Sequence, residues 1–201
     1  MIKTLTAILL ALLLTACSSS EEENSSNSTI IKKQEKVEEK KPLAQQAPVV
    51  ETKKMMLTIN TLDEKEIHIS ETVGGLTFQE HKDKAVFVIL FGYRCPPCLQ
   101  EMPNLIAIMK KNYPDLEIIA IEVQGLNREE LEAFKAKKGI NYTLAVANEN
   151  NKFISYIASK AQWQGSIPFF LAFNKKGEVK VVHVGALSSE QLEAVYTDMH
   201  K

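Results

Sequence analysis

Seven consecutive apolar residues, Ala85 to Phe91, mark the centre of this chain. A strand wetted on one face would alternate, so an unbroken run predicts a central strand covered on both sides. Leu116–Val123 is a second buried strand. Between them Leu99, Met102, Leu105/Ile106 and Met109 recur at three and four, the spacing of one helix face. Met55–Asn60 and Glu66–Ile69 alternate as short strands. Asn127-Arg-Glu-Glu130 reads as a capping box opening a helix to about Lys138, and Ser188-Ser-Glu-Gln191 as another, with Leu192, Val195 and Met199 on one face of its helix. Tyr142–Val146 predicts a short strand and Glu149–Lys160 a helix. Phe169–Asn174 and Glu178–Val184 predict a hairpin turning at Asn174-Lys-Lys-Gly177. Strand–helix–strand followed by a hairpin and a last helix is a mixed-sheet α/β plan.

None of this periodicity reaches the first quarter of the chain. Leu5 to Leu14 is a ten-residue apolar run after Lys3, about half of the ~20 residues a membrane helix needs. It ends in Leu14-Thr15-Ala16-Cys17, with small residues just before the cysteine. Residues 18–54 hold seven Lys, seven Glu and no aromatic, and only six of the 37 are Leu, Ile, Val or Phe. Such a segment buries too little apolar surface to offset its chain entropy, which predicts a disordered tether. The expected division is therefore a signal peptide at 1–16, a linker with its cysteine at 17–54 and one folded domain at 55–201. No Phe, Trp or Tyr precedes Phe78, which puts the large aromatic core residues in that domain.

Charge adds an exclusion. Lys and Arg number 24 against 25 Asp and Glu, a formal net of −1, so bulk electrostatic binding of nucleic acid is not expected. Three cysteines are too few for a disulfide-built scaffold, and two of them form Cys95-Pro-Pro-Cys98. The pair follows a buried strand and opens a helix. Unpaired N–H groups at a helix start favour a thiolate, and comparable motifs have thiol pKa values of ~3.5–7.5 against ~8.5 for free Cys. Cys95 is expected at that N-terminus with its sulfur exposed, and Cys98 about a turn further in. Pro96 and Pro97 occupy the intervening positions, where a missing N–H costs little, and Arg94 adds a cation beside Cys95. A zinc site would need more ligands, and His68, His81, His183 and His200 are scattered without ligand spacing. A structural disulfide across two residues would be a poor staple, because stabilisation grows with loop length. Redox chemistry is the favoured reading, no metal or other cofactor is expected, and Cu(I) held by the two thiolates is the alternative from another class. A tethered scaffold that only binds partners is a third.

Ala85–Pro103, AVFVILFGYRCPPCLQEMP, resembles the active-site segment of membrane-anchored thioredoxin-like proteins of the bacterial envelope, closest to the TlpA/ResA-like branch associated with cytochrome c maturation. The similarity continues through Gly165–Gly177, and Cys17 with its preceding residues resembles the lipobox of bacterial lipoproteins. The resemblance implies a thioredoxin-like fold, a central mixed sheet flanked by helices. It implies a lipid-anchored thiol–disulfide oxidoreductase facing the periplasm or extracytoplasmic space and acting as a monomer. Its substrate would be a disulfide-bearing envelope protein, and a membrane protein would return electrons. A reductant is preferred, with an oxidant or isomerase as the alternative. Pro168 matches the family's cis-proline, which with Ile167 would offer backbone to an extended substrate. Pro103 matches a helix-kinking proline, and Glu101 an acid near the sulfurs that could take the proton of Cys98. The family usually has an aromatic, often Trp, where this chain has Arg94. Trp163 and Phe169 flank Pro168 and suit either a partner groove or ordinary packing. Gly74-Gly75 reads as a turn, in a loop, Ser70–Lys84, that could cover the site.

Overall fold

The computed structural model describes residues 56–200, so the expected signal peptide at 1–16, Cys17 and the expected linker at 17–54 lie outside the described residues. Its centre is a five-stranded sheet in the order β6-β5-β4-β7-β8. These strands are β4 (Ala85–Phe91), β5 (Leu116–Glu122), β6 (Thr143–Val146), β7 (Phe169–Phe173) and β8 (Val179–Val184). β4 runs parallel to β5, β5 parallel to β6, and β7 lies antiparallel to both β4 and β8. The unbroken apolar run of β4 has the expected cause. Phe87, Ile89 and Phe91 face one core while Val86, Val88 and Leu90 face the other, and all seven residues are buried.

The first core lies under α1 (Pro96–Lys110), α2 (Arg128–Lys138) and α4 (Ser189–Asp198), through Met102, Leu105 and Ile108, Leu131, and Leu192 with Met199. The second is closed by α3 (Asn151–Lys160) together with a three-stranded antiparallel sheet of β1 (Met56–Asn60), β2 (Glu66–Glu71) and β3 (Leu76–Phe78). One face is thus covered by helices and the other by a helix and a small sheet. Both capping boxes form with reciprocal bonds, Asn127 with Glu130 and Ser188 with Gln191. Among the described residues no helix is long and apolar enough to cross a membrane.

Three local expectations are corrected. Leu76–Phe78 is a strand, too short for its alternation to be read from sequence. The helix expected from Glu149 starts at Asn151, after a short 3-10 turn at Ala147–Glu149. Asn150 is spent elsewhere. Its side chain accepts from Asn60 N and donates to the carbonyls of Asn60 and Val146, tying β1 to the end of β6. Finally, the Ser70–Lys84 segment does not cover the cysteines. It leads into the start of β4, where His81 and Lys84 lie 3.5 Å from Glu117 near the start of β5, whereas Cys95 follows the other end of β4.

Candidate active site

β4 ends at Phe91, and the chain turns through Gly92-Tyr93-Arg94 to place Cys95 as the N-cap of α1. Pro96 and Pro97 fill the first two helical positions and bring no N–H. The first helical amide able to donate is therefore that of Cys98, and it points at Cys95 Sγ from 3.3 Å. The two sulfurs are bonded to each other, with Cα atoms 5.2 Å apart. Cys95 is only 7% exposed and Cys98 3%, so the expected exposed sulfur is not found in this oxidised state. What covers it is the loop before β7. The Ile167 carbonyl oxygen lies 3.7 Å from Cys95 Sγ, and the Ile167–Pro168 peptide is cis, as the resemblance implied. Pro168 is buried, and its carbonyl accepts from Gly185 N at 2.9 Å.

Glu101 lies one helical turn past Cys98 on the same face of α1 and is 1% exposed. One oxygen accepts from Leu187 N at 3.0 Å. Burial raises its pKa to about 7 and outweighs that hydrogen bond, which acts in the opposite direction. Among the described residues no cation lies at ion-pair distance from it. Tyr142, also buried, is pushed up by burial and, to a smaller extent, by the Glu101 charge. Pro103 sits inside α1 with its ring exposed, and the helix continues past it. Asn104, one turn on from Glu101, donates to the Leu187 carbonyl at 3.0 Å. Glu101 and Asn104 therefore hold both ends of one residue in the loop before α4.

A second buried carboxylate escaped the reading of the sequence. Glu122, the last residue of β5, is 0% exposed, and four backbone N–H groups converge on it. Oε1 accepts from Tyr93 at 3.4 Å and Gln124 at 2.9 Å, while Oε2 accepts from Gly125 at 3.0 Å and Leu126 at 2.9 Å. It joins the turn before Cys95 to the loop after β5. Gln124 completes the join by accepting from Arg94 N at 3.0 Å. Its side chain lies so close over Gly92 that a Cβ there would sit 2.2 Å from Gln124 Cδ, so a larger residue would displace the Gln124 side chain from its bond to Arg94 N. The available signal was an ionisable residue at the end of the apolar run Ile118–Ile121.

Arg94 is exposed, and its guanidinium lies 4.8 Å from the centroid of the Tyr93 ring. Trp163 closes the loop before Pro168 through a bond from Nε1 to the Ser166 carbonyl at 2.7 Å, with Phe169 6.0 Å away. The structure thus brings Arg94, Pro96, Pro97, Cys98 and Glu101 together with Ile167 and Pro168 around Cys95, and Cys17 falls outside the described residues. Among the described residues no three His, Cys, Asp or Glu side chains converge as metal ligands.

A mixed sheet that presents a bonded cysteine pair at a helix start, under a cis-proline loop, defines a thioredoxin-like domain. Residues 44–182 match the AhpC/TSA family, and the chain belongs to it. It is 28% identical over 117 residues to the thiol-disulfide oxidoreductase ResA of Geobacillus kaustophilus, covering 57% of this chain and 62% of that protein. It is 25% identical over 123 residues to the ResA of Halalkalibacterium halodurans, covering 59% and 64%. The chain therefore spans less than two-thirds of the length of these relatives. Among solved structures, a thiol:disulfide interchange protein of Chlorobium tepidum superposes with a TM-score of 0.58 at 21% identity, covering 73% of this chain and 94% of that one. StoA from Bacillus subtilis gives 0.54 at 16%, covering 70% and 96%. The thioredoxin-like fold and the resemblance to ResA are both borne out.

Proposed function

We propose that this chain is a thiol–disulfide oxidoreductase that works through Cys95 and Cys98, preferentially as a reductant. The observation that carries the reading is Cys95 at the N-cap of α1, with the Cys98 N–H aimed at its sulfur and the Ile167 carbonyl beside it. In the reduced protein the same N–H and the helix dipole stabilise a Cys95 thiolate. That thiolate attacks one sulfur of a partner disulfide, forms a mixed disulfide and releases the other partner sulfur as a thiolate. Cys98 then loses its proton and attacks Cys95 Sγ. The intramolecular disulfide forms, and the second partner sulfur leaves as a thiolate. Two electrons pass from the dithiol to the partner. Glu101, with a pKa near 7, is suited to accept the Cys98 proton at neutral pH. Ile167 and Pro168 offer the backbone along which an extended substrate lies.

The preference for reduction comes from the same carboxylate. Strong oxidants owe their potential to a stabilised reduced form, and a buried negative charge one turn from Cys98 disfavours its thiolate. The measurement is the reduction potential against a thiol buffer, read by alkylation and mass. A value below about −220 mV supports a reductant, and one near −120 to −180 mV makes the protein an oxidant or isomerase. A pair that never equilibrates with the buffer would remove the dithiol reading altogether.

We infer further that the domain is held outside the cytoplasm by lipid on Cys17, acting on disulfide-bearing envelope proteins and drawing electrons from a membrane donor. The support is the apolar run ending in Leu14-Thr15-Ala16-Cys17 and the similarity to ResA. Cys17→Ser should move the protein from the membrane to the soluble fraction, and unchanged membrane association would refute the anchor.

A further inference from the structure

Four segments meet around the dithiol: 92–100, 123–127, 161–168 and 184–187. They are joined by the bond from Arg94 N to Gln124, the contact of Cys95 Sγ with the Ile167 carbonyl, and the bond from Gly185 N to Pro168. Together they contain 26 residues, and in a chain that is 24% charged they hold a single charged residue, Arg94. The nearby acids Glu101 and Glu122 are buried. Apart from Arg94 and the Ser166 hydroxyl, the exposed polar side chains of these segments are carboxamides: Gln100, Gln124, Asn127, Gln162 and Gln164. Carboxamides hydrogen-bond a peptide backbone without selecting the sign of a neighbouring charge. On such a face one cation decides the electrostatics.

Arg94 is also held in place. Its backbone N–H is bound by Gln124, its guanidinium stacks over Tyr93, and among the described residues it has no carboxylate at ion-pair distance. A guanidinium that is exposed, unpaired and next to the nucleophile is equipped to take a carboxylate from a docking partner. We propose that Arg94 is a specificity-determining residue, and that this face docks an extended segment in which the disulfide cysteine is preceded by an acidic residue. The inference rests on the oxidoreductase reading and names the substrate class of the same site.

The test compares three symmetrical peptide disulfides, acetyl-Gly-X-Cys-Gly-amide with X as Asp, Asn or Lys, reduced by the full chain in its dithiol form. Each rate constant is divided by that of the same peptide with dithiothreitol, which removes differences in intrinsic reactivity. A unit-charge pair about 5 Å apart in water gives roughly a fourfold preference for Asp over Asn, and a comparable one for Asn over Lys. Arg94→Lys should keep the order, Arg94→Gln should bring the three rates together, and 1 M salt should do the same to the wild type. A change in Cys95 reactivity would move all three peptides equally, so only docking alters the ratios. Equal rates in the wild type, or ratios unchanged in Arg94→Gln, overturn the proposal. Failure to reduce any peptide is a distinct result: it removes the oxidoreductase reading, and this inference with it.

Discussion

At the end of the sheet that carries the cysteines, Glu101 and Glu122 are buried, and their recorded partners are backbone N–H groups. At the opposite end, where β5 begins, Asp115 is ringed by Lys175 at 2.6 Å, His200 at 2.6 Å and the Tyr196 hydroxyl at 2.5 Å. Glu101 and Asp115 are shifted in opposite directions. Lys175 chiefly, with Tyr196 and His200, holds Asp115 well below the usual carboxylate range. Burial without a countercharge lifts Glu101 to about 7. A carboxylate wrapped in donors and cations stays ionised at any ordinary pH and serves as an anchor, here fastening the end of α4 to the loop between α1 and β5. Glu101, buried and bonded to a backbone N–H, has the raised proton affinity that the proposed exchange with Cys98 calls for. The contrast separates a part of the molecule that stabilises from the part on which the proposed chemistry rests.

The largest effect should come from Glu101→Gln, which keeps an oxygen for Leu187 N and removes the titration. If the carboxylate takes the Cys98 proton, resolution of the mixed disulfide at pH 7 should slow by about 10²-fold and the mixed species should accumulate in acid-quenched samples. Stability supplies an independent readout. The ordinary value of the group is 4.5 and the folded one about 7, so between these pH values the folded state binds more protons than the unfolded. Stability must then fall as pH rises through that window, by about 3 kcal/mol in all at roughly 1.4 kcal/mol per unit. Urea unfolding of the wild type at pH 4.5 and pH 7.5 should contain this loss, and the variant should lack it. An identical pH dependence in both proteins would place the Glu101 proton affinity in the ordinary range and erase the difference between the two ends.

Much of the frame behind this contrast was legible in the sequence, because it is local. The apolar run of β4, the two capping boxes and the cysteine pair opening a helix each declare themselves within a few residues. The cis state of Pro168 was legible only through family resemblance, since an Ile–Pro bond is trans about 95% of the time on statistics alone. What stayed hidden depends on segments distant along the chain. Glu122 looks like the polar exit of a strand until Tyr93, nearly thirty residues earlier, turns its N–H towards it. Gly92 looks like an ordinary turn glycine until Gln124 packs over it. The covering of Cys95 depends on a loop 72 residues away, so helix position alone predicted more exposure than exists. The ring around Asp115 draws on two distant parts of the sequence, Lys175 and the end of α4, and neither carries a motif.

That ring yields the smaller effect. Asp115→Asn leaves an acceptor for Tyr196 but removes the charge that Lys175 and His200 face. Lys175 is 40% exposed, so its part is screened by water, and the expected loss is about 1 kcal/mol in urea unfolding at pH 7. Because the folded pKa is depressed, the contribution is present above the ordinary value of 3.8 and lost on acidification. The gap between wild type and variant should therefore narrow as pH is lowered from 4 towards 2. Reduction of a neutral peptide disulfide should stay within about twofold of wild type, since small effects are the norm for substitutions remote from a site. A variant that keeps its stability but loses its redox rate would reverse the division of labour, making the Asp115 end part of the reaction and leaving the anchor elsewhere.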